Sequence, residues 1–535
     1  MDTRRLILFV IFSFSIMLLW DAWQKEHAPE TPVAQTAPAT TGAPADKPQE
    51  SDGFSLKKGE RISVKTDRYA AVIDTIGGDL RQLSLLEHKA DDSSGPYELM
   101  SDASADKLYV AQTGLKGDGL PNHYQTFTAT QTSYALQDGQ DTLEVRLSAP
   151  EEKGFSVDKV YVFHRGQYVI DVRYEIKNNS DKSISPSVYY QIIHDKESNQ
   201  GSKMMPTFTG GAYYNETDHF TKIKFDEMAK KDVSITSKDG WIGLVQHYFV
   251  SAWIPAGNAE RKFYTTKLTE QDFSVGTMVP VGEIAPGTTK TVDAKLFSGP
   301  QIPAELEAAA PGLDLVVDYG ILTVIAKPLM WLLTHIHDLV KNWGIAIIVL
   351  TILIKAAFFK LSASGYRNMA HLREMAPRMQ ALKDKFGDDK QKLQQAMMEM
   401  YRTEKINPMG GCLPILVQIP VFISLYWVLL GSVELRHAPF FGWIQDLSAT
   451  DPYFILPILM GATMIIQTTL NPPPTDPIQA KVMKIMPVLF SVFFFFFPAG
   501  LVLYWLVNNI LSIWQQWAIN RMIHAETVAK KGNGK

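Results

Sequence analysis

Residues 343–361 read WGIAIIVLTILIKAAFFKL, an apolar run broken by a single cation, Lys355, before Lys360 is reached. A run of this length and character is a transmembrane helix by pattern. A lysine held inside hydrocarbon costs roughly 2.5–3.5 kcal/mol on insertion scales. Three arrangements offset that cost: a wet cavity, an ionic partner, or snorkelling of the stem to the interface. Lys355 lies roughly 9 Å along a helix axis from Leu361, so a lysine stem covers only part of the way out.

The same reading places further spans at 412–431, 454–470, 485–497 and 499–517. The run 485–497 is short, about 13 residues against the roughly 20 that cross a bilayer. Pro498-Ala499-Gly500 predicts a tight turn into the last span. At the other end of the chain, Arg4 and Arg5 precede an apolar run from Leu6 to Trp20. Thr3-Arg4-Arg5 has the form of a weak twin-arginine signal. Leu19-Trp20-Asp21-Ala22-Trp23 offers no small-x-small cleavage site, so 1–23 reads as an uncleaved anchor and a sixth span. Residues 24–54 are rich in Ala, Pro, Thr and Gln and poor in large apolar side chains, the composition of a disordered linker.

Lysine and arginine placement orients these spans. The loop 362–411 carries Arg367, Arg373, Arg378, Lys383, Lys385, Lys390, Lys392, Arg402 and Lys405. The loop 471–484 carries Lys481 and Lys484, and the basic tail 521–535 carries Arg521, Lys530, Lys531 and Lys535. The loop 432–453 has Arg436 alone. Both termini are therefore expected in the cytoplasm, and the long segment after the anchor outside it.

That segment, 55–305, has a period of two. Ile170, Val172, Tyr174 and Ile176 alternate with Asp171, Arg173 and Glu175, and Leu143, Val145 and Leu147 alternate with Glu144 and Arg146. Such alternation marks strands with one buried face. Gly77-Gly78, Asn178-Asn179 and Gly210-Gly211 read as turns, and the whole as a large antiparallel sandwich. Residues 306–342 are apolar but carry Asp318, Lys327, His335, His337 and Asp338. This pattern fits an amphipathic helix lying in the outer interface better than one crossing the bilayer.

Charge and motif content narrow the chemistry. The formal net charge of −4 gives no electrostatic footprint for nucleic acid, and the one cysteine, Cys412, excludes an intramolecular disulfide. No nucleotide loop, nucleophile elbow or metal-ligand pattern occurs, so neither a cofactor nor a metal is expected. His194-Asp195 stands alone in a strand-rich stretch and reads as structural. Polar groups recur within the later spans at Gln418, Gln467, Asn508, Asn509, Gln515 and Gln516, and none of those spans holds an acid to pair with Lys355. A cation facing amides points to a hydrated groove rather than a sealed ion pair, with helix–helix hydrogen bonding the plainer role for each amide.

In the loop, Met369, Leu372, Met375, Met379, Leu382 and Phe386 recur at three and four, as do Leu393, Met397, Met400 and Tyr401 beyond Gly387. Asp388 followed by Gln391 has the form of a capping box. Two helices packed as a cytoplasmic hairpin, 366–405, are expected. Its methionines suit either plain packing or varied apolar partners. The aromatic run 493–497, with Tyr504, Trp505 and Trp514, reads chiefly as lipid-facing bulk. Residues alone leave three classes open: a hydrated groove that works by binding and partitioning, a secondary transporter, and a membrane-anchored glycan-processing enzyme.

The segments ILIKAAFFKLSASGYRNMA, FGDDKQKLQQAMMEMYRTEKINPMGGCLPILVQIPVFISLYWVLLGSVELR and FPAGLVLYWLVNN resemble the YidC/Oxa/Alb membrane-protein insertases, in the long form of Gram-negative bacteria. The resemblance implies a five-helix core, 343–520, around a hydrophilic groove, and an outer β-supersandwich of galactose-mutarotase type. It implies an inner-membrane protein that inserts and folds nascent integral membrane proteins, alone or with the Sec translocon. Lys355 takes the place of the groove cation, where the family most often has arginine, and Gln418 and Asn508 line the groove. Leu416, Ile419, Phe422, Phe493 and Trp505 fall on the apolar surface along which a client leaves. The hairpin matches the family's client-handling loop. The tail matches a region of ribosome contact, although here it is short and weakly charged. Membrane lipid is the remaining partner implied, and no nucleic acid is.

Overall fold

The computed structural model describes residues 56–91, 95–104, 107–196, 207–387, 389–404, 413–470 and 477–532. The predicted anchor 1–23 and linker 24–54 lie outside the described residues. The chain divides into two compact units between Val317 and Asp318.

The first unit is a two-sheet β structure. One sheet runs, neighbour by neighbour, through Ser234–Ser237, Arg261–Lys267, Asp272–Pro280, Ser187–Asp195, Tyr109–Lys116, Asp79–Lys89, Tyr69–Asp74, Arg61–Lys65 and Ser133–Ala135, and Pro96–Met100 also pairs with Asp79–Lys89. The other runs through His219–Ile223, Gly210–Asn215, Trp241–Val245, Phe249–Pro255, Thr289–Pro300, Val169–Asn178, Phe155–His164, Thr142–Ser148 and Thr128–Ala129. In Val169–Asn178 the alternation works as read: Ile170, Val172, Tyr174 and Ile176 are fully buried. The intervening charges stay outside, where Arg173 meets Asp293 at 2.8 Å and Arg146 meets Glu175 at 2.7 Å. Each buried large side chain contributes about 1.5–3 kcal/mol.

Two local readings are corrected. Gly77 and Gly78 do turn the chain, with positive φ of 75° and 58°. Gly210-Gly211 does not; it opens the strand Gly210–Asn215. A Cβ on Gly210 would stand 2.8 Å from the Ile223 carbonyl oxygen, a backbone atom, so close packing, rather than a turn, favours glycine there. The unit also continues past 305. Helix α1 (Phe225–Lys230) lies within it, and α2 (Pro303–Ala309) and a 3-10 turn at Leu313–Val316 close it. Leu306 and Leu313 are fully buried, and Trp241 Nε1 donates to the Pro311 carbonyl at 3.2 Å.

The second unit is helical: α3 (Thr323–Val340), α4 (Trp343–Ala357), α5 (Phe359–Glu374), α6 (Ala376–Phe386), α7 (Lys390–Thr403), α8 (Leu413–Gly431), α9 (Ile455–Leu470), α10 (Pro477–Phe493) and α11 (Ala499–Gly532). Helix α3 is two-faced: Ala326, Met330, Leu333 and Ile336 are buried, while Val324 and Leu339 are each 85% exposed. Asn342 caps α4 by accepting from Ile345 N at 3.0 Å.

Three span boundaries differ from the sequence reading. The run 343–361 is not one helix: the chain bends by 67° between α4 and α5, at Phe358. Apolarity continues through Leu361, but from Ser362 the sequence turns polar, and α5 takes a new direction. Helix α10 begins at Pro477 rather than 485 and ends at Phe493, followed by a 3-10 turn at Phe494–Phe496. Lys481 and Lys484 interrupt the apolar run but not the backbone ladder, and proline suits a first helical position. Helix α11 runs 34 residues, well past 517, because no breaker precedes Gly532.

In the hairpin, α6 and α7 pack together. Arg378 Nη1 pairs with Glu404 Oε1 at 2.7 Å, the Tyr401 hydroxyl donates to Met379 Sδ at 3.6 Å, and Met375 and Met379 are buried. The cap of α7 is Asp389, accepting from Lys392 N at 3.1 Å. The predicted cap, Asp388, lies outside the described residues.

Candidate functional site

Lys355 falls in the last turn of α4, in register with Ile347 and Thr351 on a buried face. Its side chain is 8% exposed. The ammonium donates to Ser512 Oγ on α11 at 2.8 Å, and that hydroxyl donates to the Asn508 carbonyl at 2.7 Å. The Tyr366 hydroxyl on α5 also bonds Ser512. Among the described residues, no carboxylate forms an ion pair with Lys355. The cation therefore turns inward and is nearly covered, held by a hydroxyl rather than an acid.

The amides divide into two kinds. Asn509 Nδ2 donates to Thr463 Oγ1 at 3.3 Å, and Gln516 Nε2 donates to the Leu470 carbonyl at 3.3 Å. These bonds tie α11 to α9, the plain helix–helix role. Gln418 and Gln515 behave differently. Gln418 Nε2 and both side-chain polar atoms of Gln515 are buried without a hydrogen-bond partner among the described residues, as is Trp505 Nε1. Buried polar atoms of this kind are satisfied by water or by a bound polar chain. Asn508 is linked to the cation through Ser512, whose hydroxyl donates to the Asn508 main-chain carbonyl.

The apolar residues also divide. Leu416 and Ile419 on α8 are 55% and 42% exposed, and Ile423 and Trp427 continue the stripe at helical spacing. Phe493, at the end of α10, is 47% exposed. Phe422 and Trp505 face each other, with ring centroids 4.6 Å apart, and Phe494 stands 5.8 Å from Trp505. Sequence reasoning missed Ser512 and Tyr366. A serine within a span bonds its own i−4 carbonyl so often that it carries little signal. Its register, four residues after Asn508 and three before Gln515, was the clue.

At the other end of α8 lies a buried acid. Glu434, in the 3-10 turn Val433–Leu435, has an Oε2 without a hydrogen-bond partner among the described residues, and burial pushes its pKa up to about 7. Ser432 beside it bonds Met330 Sδ of α3 at 3.4 Å. In the β unit, His194 is fully buried between Gln246 and the Asp195 carbonyl.

The model of the YidC periplasmic domain matches residues 61–332, and that of the 60Kd inner membrane protein matches residues 335–526. The chain is 61% identical, over 100% of both chains, to the membrane protein insertase YidC of Methylobacillus flagellatus. The chain belongs to the YidC family of membrane protein insertases. An active YidC insertase structure with its first transmembrane domain resolved is similar at a TM-score of 0.40 and 18% identity, covering 86% of this chain and 92% of that one. A galactose mutarotase-like protein from Lactobacillus casei is similar at a TM-score of 0.31 and 10% identity, covering 44% of this chain and 99% of that one. YidC-family membership makes this an inner-membrane chain with a periplasmic domain. Neither the transporter nor the glycan-processing alternative gains support from these relatives.

Proposed function

We propose that this chain inserts nascent integral membrane proteins by receiving a client's polar segment at Lys355 and releasing its apolar segment along α8. One observation carries the reading: among the described residues, a buried cation without an ionic partner, in a bundle where Gln418, Gln515 and Trp505 hold polar atoms without a hydrogen-bond partner. A client carboxylate or backbone carbonyl supplies the missing acceptors. Carrying a polar segment across dry hydrocarbon costs several kcal/mol per unsatisfied group, and a polar site part-way across shortens the dry path. An outside-positive potential then draws an acidic segment onward. The exposed stripe Leu416, Ile419 and Ile423, with Phe493 at its outer end, offers the client's apolar face a lipid-like surface. Phe422 and Trp505 pack as the wall behind it.

The wider assignment follows the same reading. The anchor 1–23 crosses the membrane, the β unit lies in the periplasm, and both termini and the hairpin lie in the cytoplasm. Helix α3 lies in the outer interface, its apolar exposed face toward lipid. The work is binding and partitioning, without covalent chemistry. The Sec translocon is the partner for large clients, and the ribosome contacts the hairpin and tail weakly.

The test is insertion of a small client into liposomes holding full-length protein without Sec. Lys355→Arg retains most insertion, Lys355→Ala lowers it about tenfold, the worth of one charge-assisted contact, and Lys355→Glu abolishes it for acidic clients. Equal insertion by all three variants discards the cation's role.

A further inference from the structure

A lysine two residues before the end of an apolar helix can bend toward the interface, and the polar α5 follows directly after the 67° break at Phe358. The observed ammonium does the opposite. It points across to α11, where Ser512 is 3% exposed. The polarity of this contact is set by the helix itself. Ser512 directs its one proton to the Asn508 carbonyl at 2.7 Å, so its lone pairs are left facing Lys355. A hydroxyl committed in this way is an acceptor, and an ammonium is the donor that needs one.

We infer that Ser512 is the positioning residue of the groove cation: it docks the Lys355 ammonium on α11 and keeps it from snorkelling along α5. This rests on the reading of Lys355 as the client-receiving charge. It also accounts for lysine at this place. An ammonium is a compact point charge that one oxygen can orient, whereas a guanidinium presents a planar fork that a single hydroxyl cannot match. Ser512 itself does not touch the client; it acts through Lys355.

The experiment measures modification of Lys355 in full-length protein in liposomes by a water-soluble N-hydroxysuccinimide ester, quantified by peptide mass spectrometry, alongside insertion of the small client. Ser512→Ala raises Lys355 modification about tenfold, the population shift that follows loss of one charge-assisted hydrogen bond, and lowers insertion severalfold. Ser512→Thr, which keeps the hydroxyl, restores both to within about twofold. A merely structural serine would not show this selective gain of amine reactivity with rescue by threonine. If Ser512→Ala does not fold, Ser512→Cys, with its weaker acceptor, gives the same ordering in smaller steps.

Unchanged modification in Ser512→Ala or Ser512→Cys overturns the inference, even where Lys355→Ala still abolishes insertion and the cation reading stands. Raised modification with insertion indifferent to Lys355→Ala upholds the docking contact and sinks the client-receiving role.

Discussion

Among the described residues two lysines are buried, one in each unit, and they are treated in opposite ways. Lys159, in the strand Phe155–His164, is fully buried. Its ammonium donates to the Gly77 carbonyl at 3.0 Å, stands 3.8 Å from Asp79 Oδ1, and lies within 6.0 Å of the ring centres of Phe127, Tyr161 and Tyr174. Asp79 in turn takes Arg81 at 3.3 Å and Gln112 at 2.7 Å. Burial still pulls Lys159 down to about 8 and Asp79 upward, while each of the two charges favours the ionised form of the other. Among the described residues, Lys355 has one hydroxyl from a neighbouring helix and no acid. A charge enclosed by its own counter-ion is a structural fixture. A charge held by a neutral acceptor keeps its field for something that arrives later. In the β unit the buried ammonium has a carboxylate beside it; in the helical unit, among the described residues, it has a hydroxyl.

Breaking the enclosed cluster has the largest expected effect. Asp79→Ala strands Lys159 and Arg81 and costs about 3–5 kcal/mol of β-unit stability. Urea unfolding of the full chain in detergent, read through the fluorescence of the buried Trp241 and Trp253, measures it. A loss below about 1 kcal/mol would mean that the cluster is not coupled as its geometry says.

The matching change in the helical unit runs the other way. Lys355→Met removes an unpaired cation and leaves the bundle as stable or more so, by up to roughly 2.5–3.5 kcal/mol, while insertion falls. Thermal unfolding in detergent reads this, and a clear destabilisation would make Lys355 a structural fixture like Lys159.

Glu434 extends the contrast to an acid. Its folded pKa of about 7 stands above the ordinary 4.5, so between these pH values the folded chain binds the proton and the unfolded chain does not. Helical-unit stability therefore declines as pH rises through this window, by on the order of 3 kcal/mol in all. Glu434→Gln flattens the profile; a variant with the parent's slope would place the titration elsewhere.

Much of this was legible in the chain. Strict alternation in Val169–Asn178 named its buried face residue by residue. The central strand Ser187–Asp195 did not, because from Val188 onward it is buried on both sides and alternation disappears. Lys355 was legible as an energetic anomaly, and the lack of an acid in the later spans excluded an ion pair. Ser512 was not, since its local hydrogen bond explains it fully without any partner. The break at Phe358 was hidden inside a continuous apolar run, because hydropathy records what a segment is solvated by and not which way it points.

The sequence by itself determined the division into a period-two unit and an apolar helical unit, the position of a cation within the latter, and the faces that strictly alternating strands would bury. These are properties of spacing and side-chain chemistry, which local backbone geometry converts directly into faces. Only the tertiary structure decided which atom meets each buried charge: Asp79 for Lys159 and Ser512 for Lys355. Those partners lie far apart along the chain and meet only where separate strands or helices pack, so no local pattern records them.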